Sequence, residues 1–245
     1  MHRMRCDFAK VGLTLALAAF LSQPSTTRAD LLRPNATQSF PDLSSDIVGT
    51  QTYAFNPTTQ TGLFQVQNSP AVLALGPTQS SEYFVNSLSG GSPSSQTIQM
   101  TLDSNGNLVT GGTNSYSLYG SVNYGGKLYS GLLLQGTPTA FGYASPNPQA
   151  PSMGIYDANI KLTGGLLQSL YGNTAYMRII AETNSTFTGT FNQSFLGLKA
   201  MTNVRSYEAA QFAPVPEPTA FAVLLACGGA GLAYHRRRAL RSGDV

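Results

Sequence analysis

Two acidic residues, Asp157 and Glu182, are the side chains of this chain whose type and setting best fit catalysis. A pair of carboxyl groups can hydrolyse a glycosidic bond when the two groups lie roughly 5–10 Å apart across a cleft. Both residues stand on the polar side of a segment in which apolar and polar residues alternate. The pattern therefore favours two solvated surface charges, and a carboxylate-based glycoside hydrolase is the remote alternative.

Residues 103–107, Asp-Ser-Asn-Gly-Asn, superficially suggest a calcium loop. An EF-hand loop needs glycine at its sixth position and a bidentate glutamate at its twelfth. Here Gly106 is fourth and Asn114 is twelfth. Asn105 and Gly106 both tolerate positive φ, so the segment predicts a tight turn rather than a metal site. No metal and no cofactor are expected.

Histidine and cysteine occur only near the two ends of the chain, as His2, Cys6, Cys227 and His235. Residues 30–215 therefore lack the side chains of Ser–His and Cys–His nucleophilic sites and of thiolate or imidazole zinc sites. The same region cannot form a disulfide. We expect a protein that is not an enzyme.

Residues 30–215 are sparsely charged, with six basic and eight acidic side chains. A protein that binds nucleic acid normally carries a basic surface, so that class of partner is not expected. The same region holds 11 of the 12 tyrosines. Tyrosine rings can stack on sugars, which leaves a carbohydrate-binding module as the alternative function. Tyrosine is also a common strand residue, and that interpretation is favoured.

The elements that must position these side chains are predicted to be strands. Short segments of period-two alternation recur between turn residues, which is typical of an antiparallel sheet. The predicted strands lie near residues 64–67, 98–103, 155–162, 176–182 and 186–191. Leu132, Leu133 and Leu134 are consecutive, which predicts a strand covered on both faces. Residues 166–171 predict one short helical turn. The fold class is therefore all-β, an antiparallel β-sandwich or barrel-like domain over residues 30–213.

The first 29 residues are typical of a secretory signal peptide. Arg3, Arg5 and Lys10 form a basic start, and an apolar stretch covers residues 11–21. Small residues precede a cleavage site between Ala29 and Asp30. This segment predicts an amino-terminal signal helix and export of the domain that follows it.

The last 30 or so residues have the composition of a membrane segment. The 16 residues 219–234 carry no charge, and as a helix they would be about 24 Å long, a marginal span. Pro216 and Pro218 limit the helix at its start. The cluster Arg236, Arg237, Arg238 and Arg241 stops the helix from sliding through and favours the cytoplasmic side. We expect a carboxy-terminal transmembrane helix in the segment 214–241.

The order Pro216-Glu217-Pro218, apolar helix and arginine cluster resembles the PEP-CTERM sorting signal of Gram-negative-type bacteria. The resemblance is limited to this segment, and it implies that the three residues are a recognition motif rather than a catalytic one. It further implies the membrane and an exosortase-like processing enzyme as partners, with an exopolysaccharide or biofilm setting. The expectation is a non-catalytic protein of the cell surface or extracellular matrix. It would be anchored at the envelope or released after carboxy-terminal processing.

Overall fold

The computed structural model describes residues 30–33, 38–144 and 153–207, and over these residues the chain forms eleven strands. Every paired strand runs antiparallel to its neighbour, so the predicted all-β antiparallel class is confirmed. The strands are β1 (Asp42–Ser45), β2 (Thr50–Asn56), β3 (Thr61–Asn68), β4 (Pro70–Ala74), β5 (Glu82–Phe84), β6 (Ser95–Asp103), β7 (Ser115–Tyr124), β8 (Lys127–Tyr143), β9 (Gly154–Gly164), β10 (Thr174–Thr183) and β11 (Phe195–Ser206).

Eight of these strands close into a barrel. Their order is β10-β9-β8-β7-β6-β3-β2-β11, and β10 pairs with β11 to complete the ring. Of the two predicted architectures, the structure therefore has the barrel. Closure leaves these eight strands without the free sheet edge that an open sheet would present.

Strands β1, β4 and β5 extend the sheet beside the barrel. The first part of β11 pairs with β2, and its last part pairs with β1 through Asp42 and Arg205. From β1 the sheet continues to β4 and then to β5. Asn86, just after β5, forms a bridge to Ser121 of β7. The extension thus runs from β11 back to β7.

The barrel interior is packed with side chains. At one end, eight aromatic rings from five barrel strands and one loop contact each other with centroid separations of 4.8 to 6.4 Å, namely Tyr53, Phe64, Phe141, Tyr143, Tyr156, Phe187, Phe191 and Phe195. Buried aromatic rings contribute most to a core of this size because each removes a large apolar area from water.

The alternation in β6 and β9 gives the buried faces that the sequence predicted. Ile98, Met100 and Leu102 are buried, and so are the even-numbered residues 156–162. The short helix is also confirmed as α1 (Gln168–Tyr171). Period-two alternation is a reliable signal here because the outer face of each strand carries the polar residues.

Residues 186–191 do not form the predicted strand. They lie in the loop between β10 and β11, where Phe187 and Phe191 turn inward and cover one end of the barrel. The Tyr53 hydroxyl donates a hydrogen bond to the Phe191 carbonyl at 3.0 Å. The alternation therefore correctly indicated that Phe187 and Phe191 are buried. These residues belong to a loop that closes the barrel end, however, and not to a strand.

The three consecutive leucines are explained by a β-bulge rather than by a strand covered on both faces. Leu118 pairs with Leu134 and Tyr119 pairs with Leu132, so Leu133 is the extra residue of β8. Leu133 and Leu134 are both fully buried. A bulge places two successive side chains on the same side of the sheet, which makes a continuous apolar run compatible with one buried face.

The predicted signal peptide and the predicted sorting segment lie outside the described residues, and so does the predicted helix at each end. No helix within residues 30–33, 38–144 and 153–207 is both long and apolar enough to cross a membrane.

Candidate functional site

Asp157 lies on the outer face of β9, yet its side chain is completely buried. The prediction of a solvated charge at this position is therefore wrong. The Arg178 side chain on β10 is directly opposite in the sheet register, and its Nε lies 2.9 Å from Oδ1 of Asp157. The Nη2 atom of Arg178 donates to Oδ2 at 3.0 Å, which makes the ion pair bidentate.

A short segment covers Asp157 and explains its burial. Residues 30–33, here called the amino-terminal strap, cross the outside of the barrel. The strap passes over Gly142 of β8, where a Cβ atom would collide with the Asp30 carbonyl oxygen. The Arg33 backbone N–H donates to Oδ2 of Asp157 at 3.2 Å. The Arg33 carbonyl accepts a hydrogen bond from Nη2 of Arg178.

The Arg33 side chain contacts two aromatic rings. Its guanidinium carbon lies 4.1 Å from the centroid of Tyr207, just after β11, and 5.1 Å from the centroid of Tyr176 on β10. A guanidinium group over an aromatic face is attracted by the negative charge of the ring face. The strap therefore connects the start of the described domain to its carboxy-terminal end.

The pKa values of two partners of Asp157, Tyr176 and Arg178, are raised in this site. The Tyr176 hydroxyl donates to Oδ1 of Asp157 at 2.6 Å. Burial, and then this hydrogen bond to the carboxylate, raise the pKa of Tyr176. The hydrogen bond from Arg178 to Asp157 raises the pKa of the guanidinium above its already high value.

The hydrogen bonds of Asp157 come from three residues. Its two oxygens accept four hydrogen bonds, from Tyr176, from the Arg33 backbone and twice from Arg178. Glu182 is four residues beyond Arg178 on β10, so the two backbone positions are separated by about 13 Å along the strand.

A second ion pair offers a comparison on the same barrel. Asp42 of β1 accepts a hydrogen bond from Nε of Arg205 on β11 at 2.9 Å, and it also accepts one from Asn203. Burial raises the pKa of Asp42, and the charge of Arg205 opposes that rise. Asp42 and Asp157 thus each form an ion pair with an arginine on a neighbouring strand. Of these two aspartates, only Asp157 accepts a hydrogen bond from the strap.

Four barrel strands are connected by a chain of hydrogen-bonded side chains that are largely buried. Asn68 donates to the Thr202 hydroxyl at 3.1 Å, and Thr202 donates to the Gln96 amide oxygen at 3.1 Å. Gln96 in turn donates to the Tyr116 hydroxyl at 3.4 Å. This chain of hydrogen bonds links four barrel strands, β3, β11, β6 and β7.

The tyrosines divide between core and rim, as the favoured interpretation predicted. Six of them are buried: Tyr53, Tyr116, Tyr143, Tyr156, Tyr171 and Tyr176. Three others form a partly exposed cluster at the β7–β8 hairpin, here called the hairpin tyrosines. Tyr83 contacts Tyr124 edge-on at 5.3 Å, and Tyr124 stacks with Tyr129 at 6.4 Å. The Lys127 ammonium lies 4.9 Å from the Tyr129 centroid.

The predicted turn at residues 103–107 is confirmed. Gly106 has φ of +82°, and the Asp103 carboxylate accepts hydrogen bonds from the backbone N–H groups of Asn105 and Asn107. The carboxylate thus stabilises its own turn. Across the described part of the chain, no three His, Cys, Asp or Glu side chains gather where they could hold a metal ion.

Of the other residues singled out in the sequence, only Asp30 is described, as the first residue of the strap. Ala29, Pro216, Glu217, Pro218 and the four tail arginines lie outside the described residues. Sequence reasoning missed Arg33, Tyr176, Arg178 and Tyr207 as partners of Asp157. The available signal was an aspartate in a strongly apolar strand of a domain that has only six basic residues to pair with it.

The fold and this site define a closed eight-stranded antiparallel barrel domain with an amino-terminal strap. No protein-family model, curated protein or solved structure matches the chain.

Proposed function

We propose that this chain is a non-catalytic exported protein of the cell surface or extracellular matrix. It is delivered by the signal peptide of residues 1–29 and sorted by a PEP-CTERM-like segment at residues 214–241. The observation that carries the proposal is the order Pro216-Glu217-Pro218, uncharged apolar segment and arginine cluster, in a chain that also begins with a basic and then apolar leader.

Two features of the barrel support this proposal. Arg33, which is close in sequence to the predicted cleavage site, contacts Tyr207, which is close in sequence to the predicted carboxy-terminal segment. A domain whose two ends lie close together can be displayed from a membrane through either end. In addition, the hydrogen-bonding capacity of the buried Asp157 is taken up by the fold, which supports a non-catalytic role.

The membrane, an exosortase-like enzyme and an exopolysaccharide are the proposed partners. The tail would be either retained as an anchor at the envelope or removed near Pro216 to release the domain.

Removal of residues 219–245 tests whether the tail anchors the protein. We expect the truncated protein to appear in the culture medium, because it lacks the apolar segment and the arginines that hold it in the membrane. Unchanged retention in the membrane fraction would contradict the anchoring role.

A matched variant separates sorting from anchoring. Replacement of Pro216, Glu217 and Pro218 by alanine keeps the apolar segment and the arginine cluster. We expect this variant to remain in the membrane fraction with its tail uncut, since only the proposed recognition motif has changed. If the tail is removed normally in this variant, the processing enzyme does not recognise the Pro216-Glu217-Pro218 motif.

Carbohydrate binding is the second candidate function, and the hairpin tyrosines favour it. Phe84 and Leu128, the sequence neighbours of Tyr83 and Tyr129, are 76% and 58% exposed and give the same strands exposed apolar surface. Aromatic rings beside exposed polar groups suit an uncharged or acidic sugar polymer, and Lys127 would complement an acidic one. Binding to purified exopolysaccharide should fall in Tyr129→Ala and persist in Leu196→Ala, which changes an exposed apolar residue on β11. Equal binding by both variants would remove this candidate.

A further inference from the structure

The amino-terminal strap contacts the barrel as a ligand contacts a binding site. The eight barrel strands pair in a closed ring, and no residue of the strap takes part in a strand pairing. The strap also contributes no residue to the buried hydrophobic core of the described chain. Removal of the strap would therefore leave the ring of strands intact and uncover Asp157.

The site holds the backbone of one strap residue from both sides. Asp157 accepts the N–H of Arg33, and Arg178 donates to its carbonyl oxygen. A carboxylate and a guanidinium that are already paired with each other thus satisfy both main-chain groups of the same residue. Gly142 leaves room for the chain to pass, because any side chain there would meet the Asp30 carbonyl. These contacts position the backbone of a peptide without selecting its sequence.

Selectivity comes from the two tyrosines that receive the Arg33 side chain. The planar guanidinium contacts the rings of Tyr207 and Tyr176 at 4.1 and 5.1 Å. A lysine ammonium is more strongly hydrated and lacks the planar face that stacks on a ring. The same pair of rings therefore favours arginine over lysine.

We propose that Asp157, Arg178, Tyr176 and Tyr207 form a binding site for a short peptide that carries an arginine. In this chain the strap is the ligand, held in place by a high effective concentration through residues 34–37. The strap is exchangeable, so the same segment supplied as a separate peptide binds once the covalent link is cut. This inference depends only on the barrel and does not require the proposed export.

The test uses the full chain with residues 34–37 replaced by a protease recognition sequence. After folding, the protease is added, and the probe is a synthetic peptide with the sequence of residues 30–37, Asp-Leu-Leu-Arg-Pro-Asn-Ala-Thr. We expect the cut protein to keep its β-sheet circular dichroism and to bind the peptide saturably. The NMR signals of the Arg178 Nε–H and the Tyr176 ring should shift. The uncut protein should bind far less peptide, because its own strap fills the site.

Three controls make the result specific. A peptide with lysine in place of Arg33 should bind roughly tenfold more weakly, and Tyr207→Ala in the barrel should weaken the natural peptide to a similar extent. Asp42→Asn, which breaks the ion pair with Arg205 away from the strap, should leave peptide binding unchanged.

Unfolding of the cut protein would overturn the proposal, because the strap would then be an integral part of the fold. Absence of binding to a folded cut protein, or equal binding of the lysine peptide, would overturn it as well.

Discussion

At the scale of single residues, the two aspartates in ion pairs have different environments. Asp157 is fully buried, and each of its oxygens accepts two hydrogen bonds. Asp42 retains some exposure, and burial raises its pKa because its partners offset only part of the lost hydration. Removing one partner from a buried pair is costly since it leaves the other charge unpaired. The two positions should therefore respond differently to the same substitution.

Asp157→Asn is expected to lower the free energy of unfolding by about 2–4 kcal/mol, because Arg178 loses its counterion and Tyr176 loses a charged acceptor. The matched variant Asp42→Asn should cost about 1 kcal/mol less, since Asp42 accepts hydrogen bonds from Arg205 and Asn203 where Asp157 accepts four. Urea unfolding of both variants at neutral pH provides the comparison. Equal costs would mean that the strap and Tyr176 add nothing to the Asp157 pair.

The raised pKa of Asp42 has a defined effect on stability. Because protonation is easier in the folded state, this residue favours folding most below its unfolded pKa of about 3.8. Its contribution then declines as the pH rises through the folded pKa. Asp42→Asn should remove that decline from the pH dependence of the free energy of unfolding. An identical pH dependence in the variant and the parent would contradict the assigned direction.

At the scale of elements, the turns and the loop that close the barrel end depend on close backbone approach. Gly106 sits in the β6 turn with positive φ, and a Cβ atom there would lie 2.8 Å from the ring of Phe191. Gly111 has a similar φ of +79°, but a Cβ atom added at Gly111 would have no neighbouring atom within 4 Å. The two glycines therefore separate the cost of the backbone conformation from the cost of crowding Phe191.

Gly111→Ala should cost about 1–2 kcal/mol for the left-handed backbone alone. Gly106→Ala should cost about 1–3 kcal/mol more, because the new methyl group displaces the ring that covers the barrel end. Thermal unfolding of the two variants measures the difference. If the two substitutions prove equal, the contact between the turn and Phe191 does not contribute to stability.

The elements that could be predicted from the sequence are those with local signals. Ile98, Met100 and Leu102 identify β6 because alternation depends only on neighbouring residues. The bulge at Leu133 and the loop position of Phe187 and Phe191 escaped prediction. In each case the local structure depends on which strand lies opposite, and the pattern of neighbouring residues does not contain that information.

The site could be predicted less well than the fold, for the same reason. Asp157 was identified as notable, but its burial comes from Arg33, which is 124 positions away in the chain. Tyr207 reaches the same site from the end of the last strand. An alternating pattern places Asp157 on the outer face correctly, but it cannot indicate that another segment covers that face.

At the scale of the whole molecule, the core of this domain relies on tyrosine. Burial raises the pKa of the tyrosine hydroxyl at five positions: Tyr53, Tyr116, Tyr156, Tyr171 and Tyr176. For Tyr53 the pKa is raised to about 12, from burial first and then from the charge of Asp103. A buried tyrosine ionises more easily in the unfolded chain, so alkaline solution favours unfolding.

We therefore expect the free energy of unfolding to fall as the pH rises above about 10, the value for an unfolded tyrosine, and to keep falling toward the folded pKa of about 12 for Tyr53. The chain contains no tryptophan, so its ultraviolet absorbance reports tyrosine directly. The tyrosinate absorbance of the buried residues should appear together with the loss of β-sheet circular dichroism. Complete tyrosine ionisation in a protein that is still folded would contradict the packed barrel interior.

The proposed function requires that the barrel is exported while the terminal arginines stay in the cytoplasm. Alkaline phosphatase tests this claim directly, because it forms its disulfides and becomes active only outside the cytoplasm. Fused after Pro214, the enzyme should be active, and fused after Arg241, in a chain with the tail intact, it should be inactive. If the Pro214 fusion is inactive although it is made in the same amount as the Arg241 fusion, export of the barrel is contradicted. The proposed location at the cell surface or in the extracellular matrix is then contradicted as well.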